Sequence, residues 1–294
     1  MYERLTKCPL CKSGLFLNYM VVKDHAISKE SFTLCKCTDC GLIFTNPRPE
    51  QKYIHTYYES EDYISHTNQS KNLIHILYKA VRRYTIRQKI NWINTRVKKK
   101  GRLLDYGCGT GYLLAAAQKN GWQVIGYEPN PTACKQAKNI NGLTPVTSLT
   151  TLKKEKKFDA ITLFHVLEHI HDLNKTLKII LDLLKKRGFL FIAVPNLDSV
   201  DFKKHQENWA ALDVPRHLYH FTNEAMNRLA DKYGLKIIEK KPLIFDAYYV
   251  SLLTDKYMGQ NNPIVSFLNG YRYNQQATKQ PNTHSSLLYI IKKK

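Results

Sequence analysis

The chain has little of what marks membrane-spanning, secreted or acidic proteins. No apolar run approaches the roughly 20 residues that a membrane-spanning helix needs. The opening residues, MYERLTKCPLCK, hold no apolar core of the kind that leads a secreted chain. A soluble cytoplasmic protein is the expectation. Carboxylates are scarce: 24 Asp and Glu stand against 45 Lys and Arg, for a net charge of +21. That balance points to a polyanionic partner, either RNA or an anionic membrane surface. The competing reading is a solvated basic face, because the lysines are spread out with only short runs near 98–100, 153–157 and 292–294. Cysteine is nearly absent after residue 40, where only Cys108 and Cys134 occur, whereas five of the seven lie before that point. What the chain does have is 294 residues with 43% hydrophobic side chains. That is enough for one large domain, or one domain with a small appendage, around a sizeable core.

The five early cysteines are phased. Cys8-Pro-Leu-Cys11 and Cys37-Thr-Asp-Cys40 are two C-x-x-C pairs. Each can present two thiolates from a tight turn, and two such turns supply the four ligands of a tetrahedral Zn²⁺. Gly41 lets the backbone turn after the second pair. Cys35 falls outside the knuckle and reads as a spare thiol. Disulfides are disfavoured in a cytosolic chain. The stretch between the pairs looks like short strands around a polar loop. Residues 1–48 are therefore expected to form a zinc-ribbon-like domain with Cys8, Cys11, Cys37 and Cys40 holding a structural Zn. Residues 49–98 follow as a helical connector or cap, with Leu73, Leu77, Ala80, Val81, Tyr84 and Ile90 at helical spacings over 68–97.

The segment RLLDYGCGTGYLL, residues 102–114, ends an apolar run in Asp105 and then places glycine at 107, 109 and 111. RLLD reads as a buried strand, and YLLAAAQKNG as a helix closed by Gly121. A glycine turn between a strand and a helix is where an α/β sheet binds nucleotides. The dinucleotide pattern G-x-G-x-x-G would need a third glycine at 112, where Tyr112 stands. The next strand, WQVIGY, delivers Glu128 to its end, where a carboxylate can accept hydrogen bonds from both hydroxyls of a ribose.

This D-x-G-x-G-x-G arrangement resembles motif I of class I S-adenosylmethionine-dependent methyltransferases. The resemblance runs from about residue 99 to the C-terminus. It implies an α/β fold, a Rossmann-like seven-stranded sheet of order 3-2-1-4-5-7-6 behind the small zinc ribbon, with S-adenosylmethionine as methyl donor. Asp105 would hold the donor's charged amino-acid end, Gly107, Gly109 and Gly111 would let the backbone approach it, and Glu128 would take the ribose. Many members carry an acid after the third strand facing the adenine amino group; here Ser148 stands near that place. Further on, Ala160–Phe164 reads as a strand with HVLEH just past its end. A helix follows with Leu173, Leu177, Ile180, Leu181 and Leu184 on one face, capped by Gly188 and leading into a strand at 189–194. Thr222 reads as an N-cap, with Phe221 and Met226 as a hydrophobic staple. The last strand is expected at 286–293, antiparallel between strands five and six. Residues from about 242 to 285 would then be an insertion.

Three groups compete for the chemistry. His165, Glu168 and His169 resemble the E-x-x-E-H of ubiquinone-biosynthesis O-methyltransferases, which binds a divalent metal, with His165 in place of the first acid. His165 otherwise reads as a contact to donor or acceptor. The segment ENWAALDVPRHLYHFT gathers Trp209, Asp213, Arg216, His217 and His220 into a loop on the carboxyl side of the sheet, where acceptors bind. His217 or His220 could take a proton as the methyl moves. The alternative is that Arg216–Asp213 pairing and buried histidines simply hold the loop shut. Third, FDAYYVSLL, residues 245–253, could wall an apolar pocket or be a plain core helix. Cys108 inside the glycine turn reads as a small filler.

The leading expectation is a methyltransferase acting on a small-molecule, sugar- or lipid-linked acceptor by O- or C-methylation. Zinc knuckles ahead of a methyltransferase domain also resemble deoxysugar C-methyltransferases, which carry a further large C-terminal domain. The alternative is a ribosomal or transfer RNA methyltransferase, since CPLC ahead of a class I domain resembles rRNA guanine N1-methyltransferases. The Asn-Pro-Pro-aromatic motif of exocyclic-amine methylases is absent after the fourth strand. A second alternative is a non-catalytic zinc-ribbon and Rossmann binding module.

Overall fold

The computed structural model describes residues 1–58 and 73–294, with side chains from residue 78 onward in the second segment. Residues 68–72 of the expected connector helix, and the side chains of Leu73 and Leu77, lie outside the described residues. In chain order the elements that matter here begin with strands β1 (Phe16–Lys23), β2 (Ser31–Cys37) and β3 (Ile43–Thr45). Helix α1 (Leu73–Arg96) leads to β4 (Arg102–Tyr106), α2 (Tyr112–Lys119), β5 (Gln123–Tyr127) and α3 (Pro131–Asn141). Then come β6 (Phe158–Phe164), α4 (Leu173–Leu183), β7 (Leu184–Pro195), β8 (Tyr219–His220) and α5 (Asn223–Lys232). The chain closes with β9 (Leu235–Pro242), α6 (Ile244–Tyr257), α7 (Pro263–Lys279) and β10 (Ser286–Lys293).

The central sheet runs β9-β10-β7-β6-β4-β5, with β4 to β7 parallel and β10 antiparallel between β7 and β9. This is the expected order for six of the seven strands. Among the described residues the third is reduced to a single parallel bridge between Tyr127 and Val146. Val146 there exchanges backbone bonds with Gly126 and Glu128. The segment around it, TPVTSLTT, is too polar to supply the apolar run of a buried parallel strand.

The inner strands are apolar on both faces because helices cover both. Leu103, Leu104, Ile161, Leu163, Leu190 and Ile192 are all fully buried. Helix α4 sits on one face through Leu173, Leu177, Ile180 and Leu183, and the Asp172 side chain caps its start by accepting from the Lys175 N–H. The end of α2 is a Schellman motif: Trp122 N–H donates to the Ala117 carbonyl and Gly121 N–H to that of Gln118, with Gly121 at φ 86°. Thr222 caps α5 as expected, and Phe221 and Met226 are buried beside it.

Gly188 does not cap α4. The helix ends at Leu183, and β7 runs through Gly188. A Cβ at 188 would lie 3.0 Å from the Phe158 carbonyl oxygen and 3.1 Å from that of Asp159. Glycine is therefore needed for close passage at the register shift between β6 and β7.

The N-terminal sheet has the order β8-β3-β2-β1. Its last partner, Tyr219–His220, comes from the loop before α5, with Tyr219 opposite Phe44 and His220 opposite Ile43. One buried cluster joins Cys8, Leu10, Cys37 and Phe44 to Leu218, Phe221 and Met226. The β1–β2 hairpin loop is tied separately to the segment before α5, where Arg216 donates to Asp24 at 3.1 Å.

Candidate functional site

The site has two parts, the glycine turn expected to take a donor and a cavity. At the glycine turn, Asp105 is the penultimate residue of β4 and Glu128 directly follows β5, so two carboxylates sit at neighbouring strand ends. The glycine turn is strapped to β5 by Gly107 and Cys108 N–H groups donating to the Tyr127 carbonyl at 2.7 and 3.0 Å. A Cβ on Gly107 would lie 2.5 Å from the Val166 side chain. At Gly109, with φ 52°, a Cβ would meet nothing within 4 Å, so the turn faces open space there. Gly111 begins α2 as its N-cap residue at φ 79°.

Glu128 accepts from the N–H groups of Gly109 and Asn130, both at 2.9 Å. These fix its orientation and leave further lone pairs for a diol. Asp105 is buried and accepts a 2.6 Å bond from the Thr162 hydroxyl. Burial lifts its carboxyl to about 6, against that hydrogen bond and the charge of Lys89. Lys89 went unnoticed in the sequence. It stands on α1 with its ammonium 4.2 Å from the centre of the Phe164 ring, and burial lowers its pKa while Asp246 and Asp105 favour its charge. One lysine in a basic helix gives no periodic signal.

Cys108 is buried and would be 2.7 Å from a Cβ at Gly126. Burial, with the Asp105 and Glu128 charges, raises its thiol pKa, which suits packing and not nucleophilic attack. Ser148 is exposed, and its hydroxyl accepts from the N–H groups of Thr150 and Thr151 as the N-cap of the short helix Leu149–Leu152. A capping serine is thus what stands at the position expected to face adenine.

The second part is a cavity of about 790 Å³. His165, His169, Asp213 and His217 line it beside the sheet, Asp246, Tyr249 and Tyr257 from α6, and His25 and Lys29 from the β1–β2 loop. His25 stacks on Tyr257 with ring centroids 4.8 Å apart. His165 has φ 56° and turns its Nε2 to Asp246 Oδ2 at 3.0 Å. Burial disfavours its charged form, but Asp246 and Glu168 outweigh that and hold it at about 9. His165 is thus an imidazolium near neutrality and not a proton acceptor.

His217 Nδ1 bonds the Ala211 carbonyl at 2.9 Å. An N–H there leaves Nε2 with its lone pair, the form a general base needs. His220 does not share this setting. It is buried on β8, does not line the cavity, and meets the Thr45 hydroxyl at 3.3 Å. Burial, with the His217 charge, pushes it down to about 3. The two-residue β8 explains this: it pairs with β3, so His220 is drawn into the N-terminal sheet. Trp209 is likewise core, its indole N–H donating to Asp201 at 2.8 Å.

Two groups of ligand-type side chains converge among the described residues, each with its ligand atoms within 4.8 Å of one another. The first is Cys8, Cys11, Cys37 and Cys40, with Cys8 and Cys40 sulfurs 3.6 Å apart and those of Cys11 and Cys37 3.5 Å apart. Four thiolates on one Zn²⁺ at about 2.3 Å would sit roughly 3.8 Å from each other, so the set fits that ion. Lys12 and Gly41, each following its C-x-x-C pair, both have positive φ, at 69° and 71°. The second group is Glu168, His169 and His217. Glu168 is fully buried and both carboxylate oxygens lack a hydrogen-bond partner; the nearest charge, His165 Nδ1, is 3.5 Å away. A divalent cation would satisfy those oxygens, but it would take the His217 Nε2 lone pair, so the metal-ligand and general-base roles of His217 exclude each other. The triplet expected from the sequence changes accordingly, because His165 turns to Asp246 and His217 takes its place.

A methyltransferase-domain family model matches residues 78–240. A ubiquinone biosynthesis O-methyltransferase of Pelagibacter ubique is 37% identical over 101 residues, 32% of this chain and 42% of that one. Its counterpart in Coxiella burnetii is 31% identical over 116 residues, covering 37% and 50%. The matches thus span about half, or less, of those relatives' lengths. Among solved structures, magnesium protoporphyrin IX methyltransferase from Synechocystis PCC 6803 with bound SAH superposes with a TM-score of 0.54 at 12% identity, over 83% of this chain and 100% of that one. At that identity the likeness concerns the fold.

Proposed function

The chain belongs to the methyltransferase-domain family, and on that premise we propose that it moves a methyl group from S-adenosylmethionine to a small-molecule, sugar- or lipid-linked acceptor by O- or C-methylation. Asp105 holds the donor's ammonium end, the open turn at Gly109 takes its body, and Glu128 holds the ribose. The observation that carries this reading is the pairing of Asp105 and Glu128 across an open glycine turn, beside a cavity lined by His165 and His217.

The donor supplies an electrophilic methyl on a sulfonium, so the protein's task is alignment and proton removal. The acceptor lies in the cavity with its nucleophilic atom toward the sheet edge. As that atom bonds to the methyl carbon, the old carbon–sulfur bond breaks and its electron pair stays on sulfur. The acceptor's proton passes to His217 Nε2. Asp213 Oδ2 stands 3.9 Å from that nitrogen. His165, held charged by Asp246, orients the acceptor or its developing anion. The aromatic and basic walls, Tyr249, Tyr257 and Lys29, suit an acceptor with a flat or apolar body and an anionic group. Zn²⁺ on the four cysteines has a structural part, fixing the knuckles below β2.

The test has two arms. Calorimetry should find S-adenosylmethionine binding that Asp105→Ala and Glu128→Ala abolish. A tritiated-methyl assay on extract split into RNA, glycan, lipid and metabolite fractions should place label in the last three. Label in RNA would overturn the acceptor class, and no donor binding at millimolar concentration would overturn the enzyme.

A further inference from the structure

Helix α7 packs with its polarity reversed. Its inward positions are small or polar: Ser266, Gly270, Asn274 and Ala277 are buried with Tyr273. Gly270 lets the backbones close up, since a Cβ there would lie 2.8 Å from Tyr248 Cα on α6. The outward stripe is large and apolar. Ile264 is 71% exposed, Phe267 55%, Leu268 45% and Tyr271 49%, at the i, i+3, i+4 and i+7 spacing of one helix face. Met258, at the turn leading toward α7, is exposed as well. An exposed contiguous patch of this kind marks an interaction surface.

We propose that the outward face of α7 docks on an anionic lipid bilayer, with Ile264 and Leu268 entering the acyl boundary and Phe267, stacked on Tyr248 of α6 with ring centroids 4.6 Å apart, at the edge of the contact. Charge chooses this occupant. Residues 256–294 contain no Asp or Glu, and Arg272 and Lys279 lie on α7 itself. A second copy of the chain would bring another +21 against that basic face. Aliphatic side chains such as Ile264 and Leu268 suit hydrocarbon better than nucleobases, which stack on aromatic planes. Position supports it as well: α7 packs along α6, whose Tyr249, Leu253 and Tyr257 line the acceptor cavity. Docking would set that cavity beside the membrane surface, where a lipid-linked acceptor resides.

The inference rests on the proposed acceptor class for its purpose only, because vesicle binding is read without donor or acceptor. The protein is sedimented with vesicles of phosphatidylcholine alone and of phosphatidylcholine mixed with phosphatidylglycerol. Binding is expected to the mixed vesicles, weakened by salt, and to fall about tenfold in Ile264→Glu/Leu268→Glu and measurably in Arg272→Glu. All three side chains are exposed, and circular dichroism checks that the variants fold. Absence of wild-type binding, or equal binding by the double variant, overturns the proposal. So does a dimer in sedimentation velocity that the double variant dissolves, or single-stranded RNA binding with the same sensitivity and no vesicle binding.

Discussion

Asp24 and Arg216 are 192 positions apart in the chain and 3.1 Å apart in the fold, both buried. Asp24 also accepts from the N–H groups of Ala26, Ile27 and Ser28, so one carboxylate shapes the β1–β2 loop and ties it to the acceptor cavity. Burial opposes its charge, but the Ser28 N–H and Arg216 outweigh that and hold its pKa below the usual value. Removing one partner of an isolated buried pair costs about 3–5 kcal/mol, but Arg216 keeps Asp213 as a second carboxylate partner at 2.6 Å. Asp24→Ala is therefore expected to lower stability by less than that in urea unfolding, and Asp24→Ala/Arg216→Met by more, since it also strips Asp213 of its partner. In both variants the acceptor KM should rise while donor affinity stays, because His25 and Lys29 lose their anchor. A donor affinity that falls in parallel would contradict this division of the site.

Asp105 gives donor binding a pH dependence. Its free carboxyl sits at about 6. A bound ammonium favours the ionised form and so lowers that value, which means binding expels a proton wherever Asp105 is protonated beforehand. Affinity should therefore be weak near pH 5, rise through pH 6 and level off above about pH 7. Isothermal titration across that range checks it. Asp105→Asn should remove the slope along with most of the affinity, and by relieving a buried charge it should not destabilise the ligand-free protein at pH 7.

The two histidines of the loop before α5 should separate cleanly. His217→Gln is expected to lower kcat by about 10²–10⁴, with donor Kd unchanged. His220→Gln should keep kcat within a few-fold and change acid stability instead. The folded value of His220, about 3, lies below the ordinary 6.5. The unfolded chain thus takes up the proton first as pH falls. Stability drops from about pH 6.5 downward by on the order of 1.4 kcal/mol per unit from this group, until pH nears 3. His220→Gln should flatten that decline in thermal melts between pH 6.5 and 4. A large kcat loss in His220→Gln would reverse the assignment.

The four-cysteine site should carry about one zinc per chain by elemental analysis. Cys11→Ser should lose it and lower Tm, since ligand binding to the folded state alone adds directly to stability. Acceptor KM should also rise, because β2 links the second knuckle to the loop bearing His25 and Lys29. Purified protein without zinc, unchanged by the substitution, would refute the structural role.

Much of the donor side could be read directly. Asp105, three glycines and Glu128 fall within 24 residues of each other, and a strand–turn–helix of that length is governed by local geometry. Gly121 and Thr222 were legible as caps for the same reason. Gly188 misled, because a glycine after an apolar helix looks like a cap, whereas its role is set by carbonyls of β6 next door. Lys89, Asp246 and Asp24 gave no signal at all. Each acts on a partner from a distant element, and nothing in its own neighbourhood marks it.

The sequence by itself determined the glycine turn between β4 and α2, the phasing of the cysteines and the parallel core, because these follow from backbone freedom, ligand spacing and apolar runs over short spans. Only the tertiary structure decided which histidine reaches the cavity. His217 and His220 are three positions apart on one loop, but a two-residue pairing with β3 buries one in the N-terminal sheet and leaves the other facing Asp213. That choice is made by strand pairing between segments some 175 residues apart, an interaction that no local pattern encodes.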